Sequence, residues 1–174
     1  MQIISELEGT TRGPNGGCVG YGKISGQWFP TNFDATTLVG SPFLPELTTP
    51  SLFSANDSGT VVGYVSQSGD SHSFVAKGGQ VSVFPFMSPS SYYARLSSVN
   101  AGNVAVGADE AGSDPIVPVA WSSTDGYINL KTRIQPTAGV IVNRAFGISS
   151  AGVIVGQGTL NGVSVGIILT PVTP

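Results

Sequence analysis

The chain has one cysteine and one histidine in 174 residues, and only 10% of its residues are charged. A single Cys18 rules out an intrachain disulfide and a cysteine metal site, and its place at a strand's valine position predicts a buried apolar role. With His72 the sole imidazole, no serine–histidine–aspartate set has a choice of base. Three lysines and a formal net charge of −3 exclude a partner held by clustered phosphate contacts. No run of eighteen apolar residues occurs, so no membrane-spanning helix is predicted. No window carries a convincing helical period. The start, Met1-Gln2-Ile3-Ile4-Ser5-Glu6-Leu7, has no basic segment leading into an apolar core of the kind a secretory signal needs.

What is abundant is glycine, twenty-four of them, and they recur in a pattern. Ala55-Asn56-Asp57-Ser58-Gly59-Thr60-Val61-Val62-Gly63-Tyr64 reads as a polar turn followed by a β-branched strand. The unit returns as Val99-Asn100-Ala101-Gly102-Asn103-Val104-Ala105-Val106-Gly107 and as Ile148-Ser149-Ser150-Ala151-Gly152-Val153-Ile154-Val155-Gly156. A weaker copy is Pro14-Asn15-Gly16-Gly17-Cys18-Val19-Gly20. Asn56, Asn100 and Ser149 each stand seven positions before the closing glycine, and a turn glycine follows at Gly26, Gly69, Gly112 and Gly162. Copies spaced 43 to 49 residues apart are the mark of a propeller or similar array.

Each copy carries signals for four short strands, with the turns at Gly69-Asp70, Gly78-Gly79 and Thr124-Asp125-Gly126. The predicted architecture is all-β: a small propeller of four blades, each of four antiparallel strands. The repeats fall at about 9–50, 51–92, 93–142 and 143–174 plus 1–8, all within one domain spanning 1–174. The fourth repeat shows no fourth strand, and Gln2 to Leu7 precedes the first as a spare apolar stretch. Pairing of Gln2–Leu7 beside Ser164–Leu169 is the expected closure, since it would leave no open sheet edge.

The pattern resembles the HAF-repeat family of bacterial β-propeller-like proteins. The resemblance rests on Asn56-Asp57-Ser58-Gly59-Thr60-Val61-Val62-Gly63 followed by His72-Ser73-Phe74, with Pro118-Val119-Ala120-Trp121 and Val165-Gly166-Ile167-Ile168-Leu169-Thr170-Pro171 in the later copies. It spans nearly the whole chain and implies a structural repeat, export in most members and no catalytic activity.

Chemistry is sparse. His72 is expected to be structural, bonding a neighbouring turn. Asp109, Glu110 and Asp114 are expected at an exposed hairpin tip around Gly112, with a calcium site as the alternative. Gly20-Tyr21-Gly22 misses dinucleotide spacing, and no Gly-x-Ser-x-Gly elbow occurs. Phe74 and Trp121 are expected in the core. The residues left for partner or ligand contact are Tyr92, Tyr93 and Trp28. No catalytic residue, cofactor or metal is predicted, and no nucleic-acid or membrane partner. The expected function is a non-catalytic binding or assembly module, a bacteriophage virion structural or host-attachment component. The alternatives are an exported lectin-like propeller and, remotely, a hydrolase with its site on the propeller axis. Partners are then other protein subunits or a surface glycan, with homo-oligomerisation open, at a virion or extracellular location.

Overall fold

The computed structural model describes residues 6–12, 18–24, 27–33, 40–42, 50–112, 115–135, 137 and 139–172, and in the first of these stretches only a few side chains, Val19, Tyr21 and Thr31 among them. The fold is all-β. Four antiparallel meanders follow one another along the chain, here called units 1 to 4. Unit 1 contains β1 (Glu6–Arg12), β2 (Cys18–Ile24), β3 (Gln27–Phe33) and β4 (Gly40–Pro42). Unit 2 contains β5 (Pro50–Ala55), β6 (Val61–Gln67), β7 (Asp70–Lys77) and β8 (Gln80–Val83). In unit 3 are β9 (Ser91–Val99), β10 (Ala105–Ala111), β11 (Val117–Ser122) and β12 (Gly126–Asn129), and a 3-10 turn at Leu130–Arg133 follows. In unit 4 are β13 (Val140–Ile148), β14 (Ile154–Leu160) and β15 (Val163–Leu169). Units 2 and 3 share one sheet through a single parallel bridge, Ser71 opposite Tyr93.

The repeated sequence maps onto repeated geometry. In units 2, 3 and 4 the first polar residue of the turn closes it in the same way. Asn56 N donates to Thr60 O, Asn100 N to Val104 O and Ser149 N to Val153 O. The fourth turn position has positive φ, which suits Gly59 (78°), Asn103 (60°) and Gly152 (79°). The closing glycine is required by close approach. A Cβ on Gly63, Gly107 or Gly156 would overlap the carbonyl oxygen of Ser51, Arg95 or Arg144 in the adjacent inner strand. That oxygen lies beside a β-bulge, at Leu52/Ser54, near Leu96 and at Ala145/Gly147, where an extra residue bends the inner strand.

The units pack as consecutive layers. The valine before each closing glycine crosses to the next unit. Val19 joins Leu52, Val61 and Phe74; Val62 joins Leu96, Val99 and Val119; Val106 joins Leu130 and Ala145. All three valines are 0% exposed, each contributing about 1.5–3 kcal/mol relative to exposure. Polar hooks reinforce the layers. Asn56 Nδ2 donates to Asn100 O at 2.7 Å, and Asn100 Nδ2 to Ser149 O at 3.0 Å. Ser54 Oγ accepts from Val99 N, and Ser98 Oγ from Ile148 N.

The expected ring closure is corrected. Glu6 and Leu7 stand opposite Lys23 and Gly22 of β2, not beside β15, while residues 2–5 lie outside the described residues. Glu6 and Leu7, the described end of the stretch read as spare, begin β1, the inner strand of its own unit and the counterpart of β5, β9 and β13. Packing runs from β1 and β2 to β5, then to β9, then to β13. Among the described residues β15 pairs only with β14. Among the described residues the sheets are not closed into a barrel, and four closed blades are not confirmed.

Gly107→Ala should destabilise the protein by at least the ~1–3 kcal/mol of an overpacked core, because the obstacle is backbone. Gly166→Ala, where an added Cβ meets nothing within 4 Å, should be close to neutral. Urea unfolding midpoints of the two variants check the contrast.

Candidate functional site

A strip of side chains runs across units 2, 3 and 4, built from Tyr64 on β6, Glu110 on β10, Gln157 on β14 and the inner strands that face them. Tyr64 follows Gly63 and meets Tyr93 edge-on, ring centroids 5.2 Å apart, with Phe53 at 5.8 Å on its other side. Arg95 lies over both Phe53 (5.9 Å) and Tyr93 (5.4 Å) and donates to the Tyr93 hydroxyl. These distances fall within cation–π range.

Glu110 continues the strip. It is 3.7 Å from Arg95 and takes a fork of two 3.0 Å hydrogen bonds from Arg144 Nε and Nη2. Arg144 then reaches Gln157 Oε1, and Gln157 donates to Ser164. Glu110 and the two arginines are each about a quarter exposed, so the bidentate pair is worth more in geometry than in net energy. Phe53, 42% exposed, presents an open ring at one end. The arrangement fixes aromatic faces and guanidinium planes on a rigid sheet surface. It offers recognition chemistry, with its one carboxylate already engaged.

Of the three expected contact residues, Tyr93 lies in this strip, half-buried between Tyr64 and Arg95. Tyr92 points elsewhere, 55% exposed and near Gly112, as alternation along β9 demands. Trp28 sits opposite Lys23 in the β3–β2 pairing, and its side chain lies outside the described residues, as does that of Cys18. Sequence reasoning missed Arg95 and Arg144, and singled out Glu110 only as part of an acidic tip. The available signal was that Arg95 and Arg144 occupy equivalent positions, twelve residues before Gly107 and Gly156.

The acidic group read as an exposed hairpin tip is corrected. Alternation sends Asp109 and Glu110 to opposite faces of β10. Asp109 is 0% exposed, its Oδ2 accepts from Met87 N, and its Oδ1 has no hydrogen-bond partner. Glu110 is the ion-paired residue of the strip, and Asp114 lies outside the described residues. No group of three or more His, Cys, Asp or Glu positioned for a metal occurs among the described residues. His72 Nδ1 lies 3.3 Å from Phe84 O and its ring stacks on Phe86 at 4.3 Å, a structural placement. Phe74 is fully buried, and Trp121 packs against the unit 2–unit 3 core.

Clefts of about 510, 400 and 530 Å³ flank unit 4. Their ionisable lining residues are Lys131, Arg133 and Asp125, and the last two pair at 2.7 Å. None brings two carboxylates face to face. In comparisons with known proteins, no family model and no curated protein matches this chain.

Among the described residues two groups have displaced proton affinities. Burial pushes the Tyr127 phenol above its ordinary value of 10.0; the Ser73 hydrogen bond opposes this and nearby Asp109 adds to it. Lys131 is lowered by burial. A raised Tyr127 makes a contribution that is complete below pH 10.0 and lost as pH rises beyond it, because the unfolded chain then binds fewer protons. Lys131 has the opposite sign, adding stability as pH climbs toward 10.5. Thermal melts between pH 8 and 11 should therefore show an alkaline loss that Tyr127→Phe reduces.

Proposed function

We propose that the protein is a non-catalytic binding and assembly module, whose contact surface is the strip Phe53–Tyr64–Tyr93–Arg95–Glu110–Arg144. The observation that carries the reading is the state of its polar groups. Each guanidinium and the single carboxylate are held by one another on a rigid sheet, and the sole histidine is spent on Phe84 and Phe86. Preorganised aromatic and arginine groups suit recognition, where Tyr and Arg dominate binding energy. Proton transfer needs a base free to move, and none stands beside the strip among the described residues.

In its concrete form the module is a virion structural or host-attachment component of a bacteriophage. Sparse charge, a neutral polar surface and repeated layers bearing an uncovered apolar end support it, as does the HAF-like repeat for a structural role. Density-gradient fractions of the producing culture, probed with antibody to the chain, test this. Co-migration with large particles is expected, and recovery solely as a free protein overturns it.

A second reading, a lectin-like function, draws on the Phe53–Tyr64–Tyr93 aromatics beside Arg95, a surface on which a sugar ring can stack. Calorimetric titration with neutral oligosaccharides checks it. Phe53→Ala should then weaken binding about tenfold, roughly 1.4 kcal/mol, and absence of any binding heat removes the reading.

A further inference from the structure

The valine before the closing glycine is covered by the next unit in units 1, 2 and 3, and uncovered in unit 4. Val19, Val62 and Val106 are 0% exposed, whereas Val155 is 47% exposed. The residue paired with it across the hairpin behaves alike. Val75 and Ala120, opposite Val62 and Val106, are 4% and 7% exposed. Ile168, opposite Val155, is 70% exposed. Ile141 at 53% and Phe146 at 46% extend the patch along β13. This face continues an interface that the protein builds three times, and its apolar side chains are as large as those of the covered versions or larger.

The polar hooks that fasten one unit to the next are missing from it. Where units 2 and 3 have Asn56 and Asn100 reaching forward, unit 4 has Ser149, which lacks the amide. Where they have Ser54 and Ser98, it has Gly147. Where Tyr64, just after Gly63, reaches Tyr93 of the following unit, Gln157, just after Gly156, turns back to Arg144 and Ser164 of its own. A further layer stacked in the same register would find none of the partners that hold the existing layers. The face instead suits a surface that asks only for apolar contact.

We infer that this face is a homotypic docking surface, on which two copies of the chain pack their β13–β14–β15 sheets against each other across a two-fold axis. An isologous contact sets each residue near its own counterpart, so like charges on the face would repel. From residue 134 to 172 the only charged residue is Arg144, tied to Glu110 of unit 3; Lys131 and Arg133 stand at the rim, in clefts that Ile141 and Ile168 also line, and Arg133 is paired with Asp125. The uncharged patch of Ile141, Phe146, Val155 and Ile168 is therefore self-complementary. The inference deepens the assembly reading but rests on a different surface from the strip.

Sedimentation equilibrium and light scattering across micromolar to millimolar concentration test it. The unmodified chain should reach twice its 17.7 kDa mass and stop there. Ile168→Lys and Val155→Lys should each raise the dimer dissociation constant at least tenfold, with the unfolding transition of the monomer retained. Ile168→Ser serves as a milder variant, with the same shift expected, should either lysine prevent folding. A chain that stays monomeric overturns the inference, as does a dimer indifferent to these substitutions. A ladder of species beyond two, the sign of head-to-tail stacking of unit 4 on unit 1, also overturns it. A monomer that still co-migrates with particles would sink this proposal alone. A dimer that never joins one would sink the virion reading alone.

Discussion

The carboxamide of Asn100 holds two structures at once, and the rest of the fold depends on this double use. Its oxygen accepts from Val104 N and shapes its own turn, while its nitrogen donates to Ser149 O in the next unit. Asn56 does the same one unit earlier, accepting from Ser58 N and Thr60 N and donating to Asn100 O. Asn103 adds a second acceptor for that link, taking hydrogen bonds from Asn56, Ser58 and Thr60. Both asparagines are 7% exposed, so losing either amide strands buried polar atoms at about 1–3 kcal/mol. Local turn geometry and the spacing between layers are thus set by the same few atoms.

The recognition strip inherits its precision from that spacing. Arg144 can form a two-pronged contact with Glu110 only because β13 lies against β10 at a fixed offset, maintained by the bulge and the glycine beneath it. The arginines stand at the inner-strand residue whose carbonyl occupies the space left by Gly107 and Gly156. A substitution that pushed the inner strand outward would move the guanidinium with it. Packing and recognition are therefore coupled at the same residue, the backbone of Arg95 or Arg144 serving the fold and the side chain serving the surface.

Much of the fold was legible because the repeat has a backbone cause. The positive-φ turn and the glycine under a carbonyl both leave fixed marks in sequence; the strands read there, Thr60–Val65, Asn103–Gly107 and Val153–Gln157, overlap β6, β10 and β14 but stop short of their ends at Gln67, Ala111 and Leu160. The place of Glu6 and Leu7 was not legible, since an apolar run pairs equally well with either neighbour until register is known. Glu6 opposite Lys23 decides it. The candidate site was harder still. Tyr93 was found as an aromatic beside a loop, but the arginines that engage it come from strands in which nothing local distinguishes a contact residue from a solubilising one. Asp109 was misread because adjacency in sequence to Glu110 suggested a shared location, whereas successive strand residues face opposite ways.

Layers that touch only their neighbours also distribute stability unevenly. In such stacks the free energy is close to a sum of terms from each layer and each junction. Units 2 and 3 each have a packed partner on both sides. Unit 4 has one on a single side, and its β15 edge is unpaired among the described residues. Amide hydrogens of β15 should exchange by local fraying while those of β9 and β10 wait for global opening. The molecule is then less a single cooperative block than a short stack with a slow centre and a fast end.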